Sequence, residues 1–425
     1  MSEVETVRPR PREAARPSRS GDCRSCGSTS LTEVLSLGRQ PLANALRRPE
    51  ELRGAEPAYP LDLVLCADCS LFQITESIPP EELFEDYPYF SSVIAALVEH
   101  ARRLVERTIA TRGLGPESLV VELASNDGYL LQHYRDAGVP VLGIEPARNV
   151  AAVAEERGIP TRCAFFGREL AAELVGEGIR PDVLHANNVL AHVPDLNGFV
   201  AGIAALLGGH GEAVIEAPYV KDLLDKCEFD TVYHEHLCYY SLTAIDGLFR
   251  RHGLRVHDVE RIEIHGGSLR VFAAAEGSRP GSEAVSSLLQ EEAAWGVDRP
   301  DVYLKFAQRV LEIKRQLREL LGELKADGAS IAAYGAAAKG ATLLNTFEIG
   351  AETLDFVADA SPHKQGLHMP GSGLEVVPPE RLLEERPDYV LLLAWNFADE
   401  ILEQQRDYRA VGGRFIVPIP EPRVA

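Results

Sequence analysis

Tyr233-His234-Glu235-His236 sets four polar side chains in a row between Val232 and Leu237. Histidine titrates near about pH 6.5, so it can take and return a proton under ordinary conditions. A tyrosine hydroxyl and a carboxyl beside it can donate, accept or orient. Acid–base chemistry, a metal site and a neutral loop are all compatible with the run, although the His-Glu-x-x-His spacing of a helical zinc site is absent. A second constellation is the pair of knuckles Cys23-x-x-Cys26 and Cys66-x-x-Cys69, the first followed by Gly27, as a tight turn favours. Four thiolates in two pairs suit tetrahedral zinc and leave no open position, so such a metal is structural. A redox role is disfavoured because neither pair reads as following a strand at the start of a helix.

The third constellation is Leu119-Val-Val-Glu122-Leu-Ala124-Ser-Asn126-Asp127-Gly128-Tyr129. An apolar run ends in an acid, a polar turn with one glycine follows, and a helical pattern opens at Tyr129. A second apolar run, Val139 to Ile144, ends in Glu145. This is the strand–turn–helix–strand of a doubly wound α/β domain, where ligands bind beyond the carboxyl ends of the strands. Glu145 is placed to accept from the hydroxyls of a ribose. The turn lacks the spaced glycines that cradle a pyrophosphate, which favours an adenosine ligand without phosphates. S-adenosylmethionine fits: its sulfonium and ammonium are cationic, and Glu122 lies nearby. Glu122, Ala124, Asn126, Asp127, Gly128 and Glu145 are the expected cofactor contacts. Asn187 and Asn188, past the end of a strand over Pro181–Ala186, are expected near the methionyl end, and His192 follows them.

The elements that position these groups alternate. The prolines and aromatics of Ile78 to Ser92 predict a loop, and Ser92 to Thr111 a helix. Asn149–Arg157 and Phe199–Leu207 read as helices, and Glu212–Ala217 as a strand. His265-Gly266-Gly267-Ser268 runs into a strand, where Ser268 and Arg270 are candidate substrate contacts; a plain hairpin turn is the alternative. Asp301–Lys325 is a long amphipathic helix closed by Gly328. A second α/β unit begins at Ile331–Tyr334, whose small-residue turn Gly335–Gly340 carries Lys339, placed to neutralise phosphate. Strands follow at Leu354–Ala358, Tyr389–Ala394 and Phe415–Pro418. The second unit leaves open an NAD-dependent dehydrogenase or epimerase.

The 425-residue length is enough for two to four domains, at about 100–200 residues each. A net charge of −21 argues against nucleic acid as a partner, and no apolar run is long enough to cross a membrane. The first twenty residues, rich in Arg, Pro, Ser and Glu, read as a disordered tail without a signal peptide, and a cytoplasmic location is expected. The expected divisions are a tail (1–20), a zinc domain (21–85), a Rossmann-like cofactor domain (86–300), and a linking helix with a C-terminal Rossmann-like domain (301–425).

In this order the pieces resemble the sugar C-methyltransferases of antibiotic deoxysugar pathways. The matching segments are the two knuckles, Pro41-Leu42-Ala43-Asn44, Tyr87-Pro88-Tyr89, Glu122 to Gly128, Asn187-Asn188 with His192, Tyr233 to His236, and His265 to Ser268. The resemblance implies methyl transfer from S-adenosylmethionine to a carbon, most often C3, next to the ketone of a dTDP-linked 4-keto sugar; C5 is the alternative. It also implies that Tyr87, His192, Tyr233, Glu235 and His236 line the active site. In that chemistry His236 is the expected general base and Tyr233 the donor to the enolate oxygen. Glu235 positions the sugar or the base, His192 handles a second proton, and Tyr87 closes the pocket.

Overall fold

A computed structural model describes residues 18–19, 21–84 and 90–425. The central sheet has seven strands in the order Leu254–Ile262, Ser268–Ala275, Glu212–Pro218, Val183–Asn187, Val120–Leu123, Val141–Ile144, Thr161–Arg162. The last five pair in parallel and the first two antiparallel. Parallel strands covered on both faces are rich in apolar residues; Val120, Val121, Leu123, Val183 and Leu184 are fully buried, and Glu122 is the buried acid among them. The strand order reverses between Val120–Leu123 and Val183–Asn187, which is where such sheets open a crevice for ligand. This is a Rossmann-like, doubly wound arrangement.

An antiparallel N-terminal sheet is made of Leu31–Gln40, Tyr59–Cys66 and Phe72–Ile74, and its fourth strand is Cys238–Tyr239, from far along the chain. A third sheet is Rossmann-like, in the order Val376–Val377, Val357–Ala358, Ile331–Tyr334, Tyr389–Leu392, Arg414–Val417, Arg423–Val424. The helix Pro300–Ala326 ties the three together. Proline occupies its first position, where a missing N–H is harmless. Its buried stripe is Tyr303, Phe306, Ala307, Val310, Ile313, Leu317 and Leu321. Tyr303 packs on Phe72 of the N-terminal sheet at 5.0 Å between ring centres, Arg309 donates to the carbonyls of Leu224 and Asp225, and Lys314 donates to that of Thr346. One apolar core therefore runs through all three sheets, from Leu63 through Ile215 to Ile331.

As expected, neither cysteine pair stands at a strand-to-helix junction: Cys66 ends a strand, and a turn and a further strand follow it. Three expectations need correction. Pro80–Phe84 is a short helix inside the segment read as loop, since a proline is accepted in a first turn. The strand expected over Leu354–Ala358 is only Val357–Ala358. Ser18–Arg19, within the tail read as disordered, pairs with Glu76–Ser77; the other residues up to 20 lie outside the described residues. No helix among the described residues is long and apolar enough to cross a membrane.

Gly128 shows how tightly the first turn is fixed. Its φ is +78°, and a β-carbon there would meet Ile159 Cγ1 at 2.8 Å. Gly128→Ala should therefore cost about 2–5 kcal/mol, combining overpacking with left-handed strain. The midpoint of urea unfolding reads it; an unchanged midpoint would contradict the packing described.

Candidate active site and metal centre

The four cysteine Sγ atoms lie within 4.8 Å of one another, with Cys23–Cys69 and Cys26–Cys66 each at 3.5 Å. A tetrahedron of Zn–S bonds of about 2.3 Å has edges of about 3.8 Å, so the donor set and its spacing fit a closed zinc site. Backbone turns hold the knuckles: Gly27 N donates to Cys23 O, and Ser70 N to Cys66 O. Zinc here staples a small sheet. Metal analysis should find about one zinc per chain, and Cys66→Ser should lose it and lower the unfolding temperature; a zinc-free, equally stable protein would overturn the assignment.

The first turn of the central sheet alternates into left-handed backbone at Ala124, Asn126 and Gly128. That coiling aims its side chains at the strand ends. Glu145, from the next strand's end, accepts from Asn126 N at 2.9 Å and Ala147 N at 2.8 Å. Each of its oxygens keeps a second lone pair, the acceptor pair a ribose diol needs. Asp127 accepts from Arg157 and Ser92, and the side-chain oxygen of Asn126 accepts from Ser91 N. Asn188, also left-handed, donates from its backbone to Glu216 O. Four acceptors in this region are buried without a donor: Glu122 Oε2, Asp127 Oδ1, Asn187 Oδ1 and Asn188 Oδ1. Burial, then Glu145, Asp127 and Glu216, push the Glu122 carboxyl well above the usual range. Buried acceptor oxygens without partners at Asp127, Asn187 and Asn188, beside the Glu122 carboxyl, suit a cationic guest, so S-adenosylmethionine fits these residues.

The second group is drawn together by chain reversal. Leu237 N donates to Ala191 O and Tyr240 Oη to Leu190 O, bringing the short turn Leu190–His192 against the Tyr233–His236 run. The His192 and His236 rings lie 4.9 Å apart, and those of Tyr233 and His236 4.2 Å. His236 Nδ1 lies 2.8 Å from the Thr231 carbonyl. A carbonyl only accepts, so Nδ1 carries the proton and Nε2 presents its lone pair. Tyr233 Oη sits 3.1 Å from that Nε2. Glu235 is buried, accepts from Asn44 Nδ2 at 2.6 Å, and is pushed up to about 7 by burial, against the pull of Asn44. His192, with Phe84 edge-on at 5.6 Å, is pushed down to about 3, by burial first and then by His236. His234 turns away and meets the Pro60 carbonyl.

The three candidate substrate contacts differ. Ser268 gives its hydroxyl to Ile264 O. Arg270 is buried between Glu216 (2.6 Å) and Glu260 (3.0 Å), with His100 against it, so its donors are already committed. Lys339 stands in the first turn of Ala338–Phe347, over the Trp395 ring at 4.9 Å from its centre, and donates to Asn396. Burial draws its pKa down, while Asp230 and Glu228 resist. Tyr87 lies outside the described residues. Asn44, Asp230, Thr231 and Trp395 were not foreseen as site residues. Trp395 follows the strand Tyr389–Leu392 by three residues, so the strand-end rule applied to the C-terminal sheet would have flagged it.

Glu235 gives a pH signature. Its folded pKa is raised above its unfolded value near about 4.3, so its stability contribution is complete below that value and lost as pH rises through about 7. His185, fully buried, and His192, half-buried, have lowered pKa values and act in the opposite sense, which makes a paired comparison necessary. Relative to Glu235→Gln, the wild type should lose unfolding temperature between about pH 4.5 and 8. Parallel curves would contradict it.

Three family models tile the chain: "Putative zinc binding domain" over residues 23–84, "Methyltransferase domain" over 97–259, and "C-methyltransferase C-terminal domain" over 263–420. The chain is 40% identical over 404 residues to the C-methyltransferase NovU of Streptomyces niveus, covering 95% of this chain and 96% of that protein. Among solved structures, magnesium protoporphyrin IX methyltransferase of Synechocystis PCC 6803 matches 43% of this chain and 82% of its own (15% identity, TM-score 0.33). Protein PH0226 of Pyrococcus horikoshii matches 46% and 98% (12% identity, TM-score 0.35). The C-terminal sheet falls within a C-methyltransferase domain, which disfavours the dehydrogenase or epimerase reading. With a relative at that identity over nearly its full length, the chain belongs to the S-adenosylmethionine-dependent C-methyltransferases.

Proposed function

We propose that the enzyme methylates C3 of a dTDP-linked 4-keto deoxysugar, with His236 as the base that removes the C3 proton. The observation carrying this reading is the His236 tautomer: Nδ1 is tied to the Thr231 carbonyl, and the Nε2 lone pair points to Tyr233. A C–H bond next to a ketone is acidic enough for such a base once the enolate oxygen is stabilised. The C3 proton passes to Nε2 and the electron pair moves to the C4 oxygen. Tyr233 exchanges its hydrogen bond on Nε2 for one to that oxygen, since a hydroxyl hydrogen rotates freely. Glu235, fixed by Asn44, holds a sugar hydroxyl. His192, its ring 4.9 Å from that of His236 and its basicity lowered by burial and then by His236, serves as the second proton-handling group.

S-adenosylmethionine supplies an electrophilic methyl group when bound; Glu122, Asn187 and Asn188 would hold its cationic end and Glu145 its ribose. The nucleotide's diphosphate is assigned to Lys339 and the start of Ala338–Phe347, a helix whose first turn has no side-chain cap. The sugar and the carbon rest on the motifs that resemble sugar C-methyltransferases, together with this chemistry; the relative's name supports carbon methylation only.

His236→Asn should lower kcat roughly 10²–10⁴-fold, the usual worth of a general base, with cofactor affinity unchanged. In D₂O without methyl donor, wild-type protein should exchange the C3 proton of the sugar and the variant should not. If His192→Asn abolishes exchange while His236→Asn keeps it, the roles are reversed.

A further inference from the structure

Asp230 lies just before the residue that orients His236, and it is fully buried. Its Oδ2 accepts from Trp395 Nε1 at 2.6 Å, and its Oδ1 has no partner. Burial pushes this carboxyl up to about 6, against the pull of Lys339. Trp395 belongs to the C-terminal sheet's ligand side, in the short turn Trp395–Phe397, with Lys339 over its ring. One residue before Asp230, Phe229 stacks on Phe347 of the helix that carries Lys339, ring centres 4.8 Å apart and planes 23° from parallel. One residue after it, Thr231 presents the carbonyl that takes the His236 Nδ1 proton. The short turn Phe229–Thr231 is thus bound to the C-terminal domain at two consecutive side chains, and its third residue aims the imidazole.

We propose that Asp230 is a positioning residue: the hydrogen bond it takes from Trp395 fixes the Thr231 carbonyl, and through it the Nε2 lone pair of His236. The C-terminal domain thereby aims a base that it does not itself contain. The inference rests on the reading of His236 as the base.

The test is solvent exchange of the sugar's α proton in D₂O at saturating sugar, with S-adenosylmethionine affinity and unfolding temperature measured alongside. Trp395→Phe keeps the ring and removes the N–H. It should slow exchange roughly 10- to 100-fold, the loss a misplacement of about 1 Å produces, and leave cofactor affinity unchanged. Asp230→Ala should do the same, while Asp230→Asn, whose amide oxygen still accepts, should recover most of the rate. If Trp395→Phe does not fold, the Ala and Asn variants carry the test between them. Wild-type exchange in Trp395→Phe and Asp230→Ala, with exchange lost in His236→Asn, would overturn the positioning role and leave the base in place. Asn as slow as Ala at position 230 would overturn it too. Undiminished exchange in His236→Asn would overturn the base reading and this inference with it.

Discussion

The hydrogen bond from His236 Nδ1 to the Thr231 carbonyl decides which nitrogen of the imidazole can take a proton. A ring free to turn would spend part of its time with the wrong nitrogen forward. Both ends of the segment that carries this ring are tied down by other parts of the chain. Upstream, Phe229 and Asp230 are held by Phe347 and Trp395 of the C-terminal domain. Downstream, Leu237 bridges Ala191 and Ile74, and Cys238–Tyr239 becomes the edge strand of the zinc-stapled sheet. Asn44 of that same N-terminal region reaches Glu235 between them. Three sheets therefore converge on a few residues, and a zinc held by the four cysteines would stiffen one of the supports.

Electrostatics divides the two halves of the site. The crevice beyond Glu122 and Glu145 gathers buried carboxyls and acceptor oxygens, a costly arrangement that a cationic ligand would relieve. Arg270 is spent inside the protein, where it neutralises Glu216 and Glu260 under the helix Ala95–Arg112 and keeps His100 in place. The opposite side holds Lys339 and an uncapped helix start, which suits anionic groups.

Much of this was legible in the sequence. The cysteine pairs announced a metal site because four thiolates at that spacing have few other uses. The turn after Val120–Leu123 was legible as the first turn of a doubly wound sheet because an apolar run ends there in an acid and a polar turn with one glycine follows. The alternation of apolar runs gave the two Rossmann-like sheets. What stayed hidden depends on long-range contact. Cys238–Tyr239 has no sequence mark of belonging to the N-terminal sheet, and Asn44 meets Glu235 across 191 positions. Arg270 looked free because its carboxylate partners lie on neighbouring strands and not beside it in the chain. The short helix Pro80–Phe84 was obscured by a proline that breaks helices in their interior but opens them at the first turn.

The most direct measurement is of where the methyl group goes. The protein would be incubated with S-adenosylmethionine carrying a ¹³C-labelled methyl and with a panel of dTDP-linked 4-keto sugars, and the products read by NMR. The account predicts the label on C3, coupled to the carbon beside the C4 ketone. Label on C5, on any other carbon or on oxygen would contradict it.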